Sequence, residues 1–151
     1  MTFIFYTINF AEVLNTLENM IKLNVHTAQT MIETYAVDWS LYPDNAQLLE
    51  QEARSKKYWK DFRNPFASID PIANTLPTII SDKEYEQAKS TLTLRVISIN
   101  KKESLRGILV YNPQTTQSYI TRYFIYDLNA DGEYLRSSTP TNSEIFYLTN
   151  Q

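Results

Sequence analysis

Cysteine is absent from the 151 residues, and glycine occurs only twice, as Gly107 and Gly132. Without cysteine there is no disulfide, no thiolate nucleophile and no zinc site built on sulfur. With two glycines, neither the G-x-G-x-x-G fingerprint nor the P-loop pattern can be written. Nucleotide binding by those routes is excluded. Histidine is single, at position 26. A triad around His26 would need a nucleophile and an orienting acid to converge on it, so the expectation is a helix-surface residue. Charge of one sign is also lacking: 14 basic against 17 acidic residues leave a net −3, with no footprint for nucleic acid. No apolar run approaches the ~20 residues of a membrane span. Residues 1–10 are apolar and aromatic, yet lack a basic leader and a small-residue cleavage site. No membrane insertion is expected of this chain.

What is present fits one folded domain. Apolar residues make up 43% and charged residues 21%, ordinary values for a globular chain long enough to bury a core. Tyrosine is over-represented, with 11 copies. Its large apolar ring and polar tip suit half-exposed sheets and protein interfaces.

From about Phe10 to Trp39 apolar residues recur by threes and fours: Phe10, Val13, Leu14, Leu17, Met20, Ile21, then Ala28, Met31, Ile32, Tyr35 and Trp39. That spacing predicts one amphipathic helix, with a lapse at Asn24 and Val25, roughly 45 Å long at 1.5 Å per residue. Ser40-Leu41-Tyr42-Pro43 breaks it. Asp44 with Gln47 has the pattern of a capping box opening a second helix, which should end before Tyr58. Its Glu50, Glu52, Arg54, Lys56 and Lys57 place acid early and base late, complementing the helix dipole on a solvated face. Asn64-Pro65 is a firm stop.

Residues 67–80 read as a loop, and Ser81 with Glu84 as a second capping box opening a helix through about Lys89. The β-branched run 91–99 predicts a strand, followed by strands near 107–112, 118–127, 133–137 and 145–149. The fold class expected is α+β: a long N-terminal helix over 1–40, short helices and loops over 41–90, and a small antiparallel sheet over 91–151.

Two groups invite a functional reading. Asp127-x-Asn129-x-Asp131-Gly132 matches the opening of an EF-hand calcium loop, but its twelfth position is Ser138 where a bidentate acid belongs, and its flanks read as strands. A plain hairpin turn is the expectation, with calcium at Asp127, Asn129 and Asp131 the alternative. Trp39, Tyr58, Trp59, Phe62 and Phe66 could form an aromatic ligand platform, or seal the helix ends against the sheet. No polar pattern around them selects a ligand, which favours packing. Tyr35, Trp39, Tyr58, Trp59, Pro65 and Phe66 are accordingly taken as structural anchors.

The helix end Glu33-Thr34-Tyr35-Ala36-Val37-Asp38, then Tyr42-Pro43, then Tyr58-Trp59-Lys60 with Asn64-Pro65-Phe66, resembles the soluble head of type IV pilin-like proteins, including the pseudopilins of type II secretion. More loosely, Gly107-Ile108-Leu109-Val110-Tyr111-Asn112-Pro113, Tyr123-Phe124-Ile125-Tyr126-Asp127 and Phe146-Tyr147-Leu148-Thr149-Asn150 resemble the strands of such heads. The family's processing signal, glycine followed by Phe-Thr-Leu-Ile-Glu and an apolar helix, is not written here, so the resemblance implies a head without its anchor. It further implies a non-enzymatic subunit, other pilin-like subunits as partners, and a place in the cell envelope or an extracellular filament. In isolation a monomer is expected. Some pseudopilins bind calcium near the C-terminus, although their ligands do not map onto residues of this chain. A binding module that kept such a domain is the alternative function.

Overall fold

A computed structural model describes residues 10–68, 78–91, 105–116, 118–136 and 144–150. The long helix α1 spans Phe10–Trp39, as its periodicity predicts. It is followed by α2 (Ala46–Ser55) and a 3-10 turn (Pro65–Ser68). Then come β1 (Ile79–Ser81), α3 (Asp82–Thr91), β2 (Leu109–Thr116), β3 (Tyr119–Asp127) and β4 (Tyr147–Thr149). The α+β class holds, with four strands in the order β1-β2-β3-β4.

The sheet is mixed, not purely antiparallel. β2–β3 and β3–β4 are antiparallel, but β1 runs parallel to β2, Ile79 opposite Leu109 and Ser81 opposite Tyr111. The expected loop 67–80 thus ends inside a strand. Three residues are too few to show alternation, so β1 leaves no periodic signal in sequence. Of the strand expected over 133–137, the described residues make isolated bridges, Leu128 to Tyr134 and Arg136 to Ile145. The strand expected over 91–99 begins instead on the last residue of α3 and otherwise lies outside the described residues.

Helix ends show what scarce glycine entails. Ser40 and Lys57, just past α1 and α2, adopt the left-handed conformation at φ 57° and 64°. Glycine usually takes that position, and a side chain there costs about 1–2 kcal/mol. The α2 cap is Asn45, whose side chain accepts from the Leu48 amide at 2.8 Å. The expected cap, Asp44, is one residue early, since Asn caps as well as Asp and the helix starts at Ala46. The Ser81–Glu84 box forms as expected: the Glu84 amide donates to Ser81 Oγ at 3.2 Å, and Glu84 accepts from the Ser81 amide at 2.7 Å.

The inner stripe of α1, with Ile21, Val25, Ala28, Met31 and Ile32 buried, packs on Leu109 and Tyr111 of β2 and Tyr123 and Ile125 of β3, with Leu49 and Phe66 closing the sides. Each such side chain withdrawn from water contributes about 1.5–3 kcal/mol before the entropy of ordering it. On the other face α3 packs on β1 and β2, burying Tyr85 with Ile80, Ile108, Val110 and Leu128. Gly107 sits at φ +69°, where a Cβ would meet the Asn64 side chain and come within 2.8 Å of Phe66. That close approach fixes the Asn-Pro-Phe corner against the sheet, and Asn64 locks it by donating to the Arg106 carbonyl at 2.6 Å.

Candidate functional site

Polar groups between α1 and the sheet are committed to holding them together. Glu33 projects from α1 and accepts from the Tyr123 hydroxyl on one carboxylate oxygen and from the Tyr42 hydroxyl, at 3.2 Å, on the other. Tyr111 donates to the Pro43 carbonyl at 2.7 Å, and the Tyr42 and Tyr123 rings meet edge to face at 4.8 Å. Burial, then the hydrogen bond to Glu33, pushes the Tyr123 hydroxyl far up; burial does the same for Tyr111. Both are neutral donors at any physiological pH, shaped for positioning rather than proton transfer.

The opposite side of α1 has a different character. Val13, Thr16, Met20, Leu23, Thr27, Thr30, Thr34 and Val37 alternate steps of three and four, a second stripe directed away from the core. Leu23 is 66% and Val37 83% exposed. The threonine hydroxyls of this stripe are turned onto the helix's own carbonyls four residues back, Thr16 to Glu12, Thr27 to Leu23, Thr30 to His26 and Thr34 to Thr30. Their donors are thus satisfied within the helix and would lose nothing on losing water. A three–four repeat is the spacing a helix presents to another helix. The stripe spans about 36 Å. Near Met20 it borders a recess of about 310 Å³ lined by Met20, Arg63, Asn64, Pro65, Ala67 and Ser68. Near Val37 lies another of about 260 Å³, lined by Ala36, Ser40, Leu41, Tyr42, Ile120 and Thr121. His26 is an exposed helix residue, as expected.

The proposed anchors separate. Tyr35, Pro65 and Phe66 are buried, and Tyr58 and Trp59 half-buried. Trp39 is corrected: it is 50% exposed, lying on Tyr35 at 6.2 Å with the Lys56 ammonium 5.0 Å over its ring. As the last helical residue before the break at Ser40, it reaches past the end of the sheet-facing stripe. Trp59 carries the Arg54 guanidinium at 4.9 Å and donates to Asp61 at 2.9 Å. The α2 charges form surface pairs, Arg54 with Glu50 and Asp61, Lys56 with Asp38, each worth little in water.

Asp127, Asn129 and Asp131 do not converge. Asn129 caps its own turn, its side-chain oxygen accepting from the Asp131 and Glu133 amides at 2.9 and 3.1 Å, while Gly132 takes φ 70°. Asp131 is exposed, whereas Asp127 is fully buried and neither carboxyl oxygen has a hydrogen-bond partner. Burial pushes the Asp127 carboxyl up to about 8, against the pull of the Lys22 ammonium. Among the described residues no cluster of three or more acidic, histidine or cysteine side chains is placed to hold a metal.

Sequence reasoning missed the outward stripe and the burial of Asp127. Both had signals: the three–four step from Val13 to Val37, and the two-residue alternation that puts Asp127 on the face of Tyr123 and Ile125. Among the described residues, no helix is long and apolar enough to cross a membrane. The chain matches no family model, no curated protein and no solved structure.

Proposed function

We propose that this chain is a non-enzymatic structural subunit acting through protein–protein assembly, in the manner of the head of a type IV pilin or a type II secretion pseudopilin. The observation that carries the reading is the outward stripe of α1, four aliphatic or methionine side chains and four threonines, uncharged and spaced for a second helix. The tyrosine hydroxyls and Glu33 support it, since they brace α1 on the sheet and leave its outer side as the working surface. The resemblance of the helix end and the Asn64-Pro65-Phe66 corner to pilin heads points the same way. A binding module that kept such a domain is the second reading, favoured by the aromatic outer face of the sheet. Localisation in the cell envelope or in an extracellular filament follows from the first reading alone.

Because the chain has no cysteine, Leu23→Cys is a clean single-site probe of assembly. The purified chain is expected to be monomeric by light scattering at modest concentration. At high concentration, Leu23→Cys should cross-link copies well above Ser55→Cys, at the exposed end of α2, and Met20→Glu should abolish the excess. Equal cross-linking at the two positions would overturn the reading.

A further inference from the structure

We infer that the outward stripe of α1 takes an acidic amphipathic helix from a partner protein, the partner's carboxylates lying against Lys60 and Arg63. The inference rests on the assembly reading and names the partner that the stripe selects. Met20, Thr27 and Thr34 form one column of the stripe, and Leu23, Thr30 and Val37 the other, each stepping by seven residues. Such columns are the a and d positions of a heptad, and the charges at the edges beside them decide which helix pairs.

One edge is built by the chain that follows α2, which runs back along α1. Lys56 Nζ meets Asp38 at 3.0 Å, the Lys60 amide donates to Met31 Sδ at 3.2 Å, and Asn24 donates to the Arg63 carbonyl at 3.0 Å. Asp38, Met31 and Asn24 are themselves spaced by seven, each four residues past a member of the Met20 column and so beside it. Lys60 and Arg63 are therefore anchored two helical turns apart, about 10 Å along the stripe. Both are exposed, and neither makes an ion pair among the described residues. The acids of this edge are taken, Asp38 by Lys56 and Asp61 by Arg54 at 3.2 Å. What remains is uncompensated positive charge at the spacing of successive heptads. At the Met20 end, the recess of about 310 Å³ has Met20, Pro65 and Ala67 in its wall beside Arg63, a seat for one large apolar side chain of the partner helix.

Charge argues against a second copy as the occupant. Antiparallel copies about a two-fold axis would lay the Lys60–Arg63 edge on the same edge of the neighbour, like on like. Parallel copies would lay it on the other edge of the stripe, where Asn19 and His26 stand level with Arg63 and Lys60. The acids of that edge, Glu12 and Glu33, lie one heptad out to either side, and Glu33 is held by Tyr42 and Tyr123. This fits a chain expected to meet its own copies only at high concentration. An anionic membrane would meet four threonines and no aromatic ring on the stripe, where a surface-lying helix carries large apolar and aromatic side chains.

The test uses the full chain and three synthetic three-heptad peptides that share one leucine–isoleucine seam at a and d. They carry glutamate, glutamine or lysine at every e and g position, and binding is read at low salt by anisotropy of a fluorescent label. The glutamate peptide should bind saturably, about tenfold tighter than the glutamine peptide, with the lysine peptide weakest. Leu23→Glu should abolish the binding. Lys60→Glu with Arg63→Glu should reverse the order of the peptides with the thermal midpoint unchanged, and added salt should narrow the differences for the wild type. Failure of the glutamate peptide to bind, or equal binding of all three, would overturn the inference. So would binding indifferent to Leu23→Glu or to the double charge reversal, or Leu23-dependent binding to phosphatidylglycerol vesicles in place of the peptides. The two readings fail separately: Leu23→Cys cross-linking of copies without any charge order among the peptides would leave assembly standing and remove the acidic partner.

Discussion

Asp127 is the least comfortable residue in the fold. A carboxyl without exposure and without a partner is stable in the interior only when protonated, and burial raises it from its ordinary range to about 8. Lys22 pulls the other way and does not prevail, because its ammonium makes no hydrogen bond to either oxygen. A raised carboxyl binds its proton more tightly in the folded than in the unfolded chain. Its contribution to stability is therefore full on the acid side of the ordinary carboxylate range. It falls by up to about 1.4 kcal/mol per pH unit as the pH rises toward about 8, and the loss is complete above that. Urea midpoints should accordingly be lower near pH 8.5 than near pH 5, and Asp127→Asn should flatten the difference by raising the alkaline value. A wild-type difference that survives Asp127→Asn unchanged would assign the dependence to other groups.

At the scale of elements, the sequence presents the corner after α2 and the end of α1 as equivalent aromatic seals, and the structure distinguishes them. Phe66 is 1% exposed, wedged between Asn64, Gly107 and the α1 stripe. Phe66→Ala should cost roughly 3–5 kcal/mol, the range for a buried ring removed from a close-packed site. Trp39, half exposed and held by Tyr35 and Lys56, should cost less than about 1 kcal/mol on truncation to alanine. Chemical denaturation of the two variants side by side decides it, and equal losses would contradict the packing described. The second stripe of α1 belongs to this scale as well. Local periodicity announces one helix but not which of two apolar stripes faces the sheet. The bulkier set containing Ile21, Val25, Ile32 and Tyr35 turns inward because it buries more area, leaving the threonine-rich set outside.

For the whole molecule, the question of calcium turns on convergence. Asp127 lies in the core, Asn129 is occupied by its own turn and Asp131 faces solvent, so these three do not form a ligand set. A specific site on the folded chain would raise stability by about 2.7 kcal/mol at a hundredfold excess of ligand over Kd. Thermal melts in chelator and in millimolar calcium should instead coincide. A clear upward shift with calcium, abolished by Asp131→Ala, would restore the EF-hand-like alternative.

Legible in the sequence were the features whose causes lie within a few residues: the extent of α1, the Ser81–Glu84 cap and the turn at Gly132. Helix periodicity, capping and turn geometry are short-range, so their signals are local and legible. The tertiary structure alone decided the parallel pairing of β1, the exposure of Trp39 and the clamp on Glu33. That clamp joins residues 90 positions apart, and Tyr111 reaches Pro43 across 68. No window of sequence contains both partners of such a pair. Which distant surfaces meet is settled only when the whole chain competes to bury its apolar area, and that competition left the outer stripe of α1 exposed.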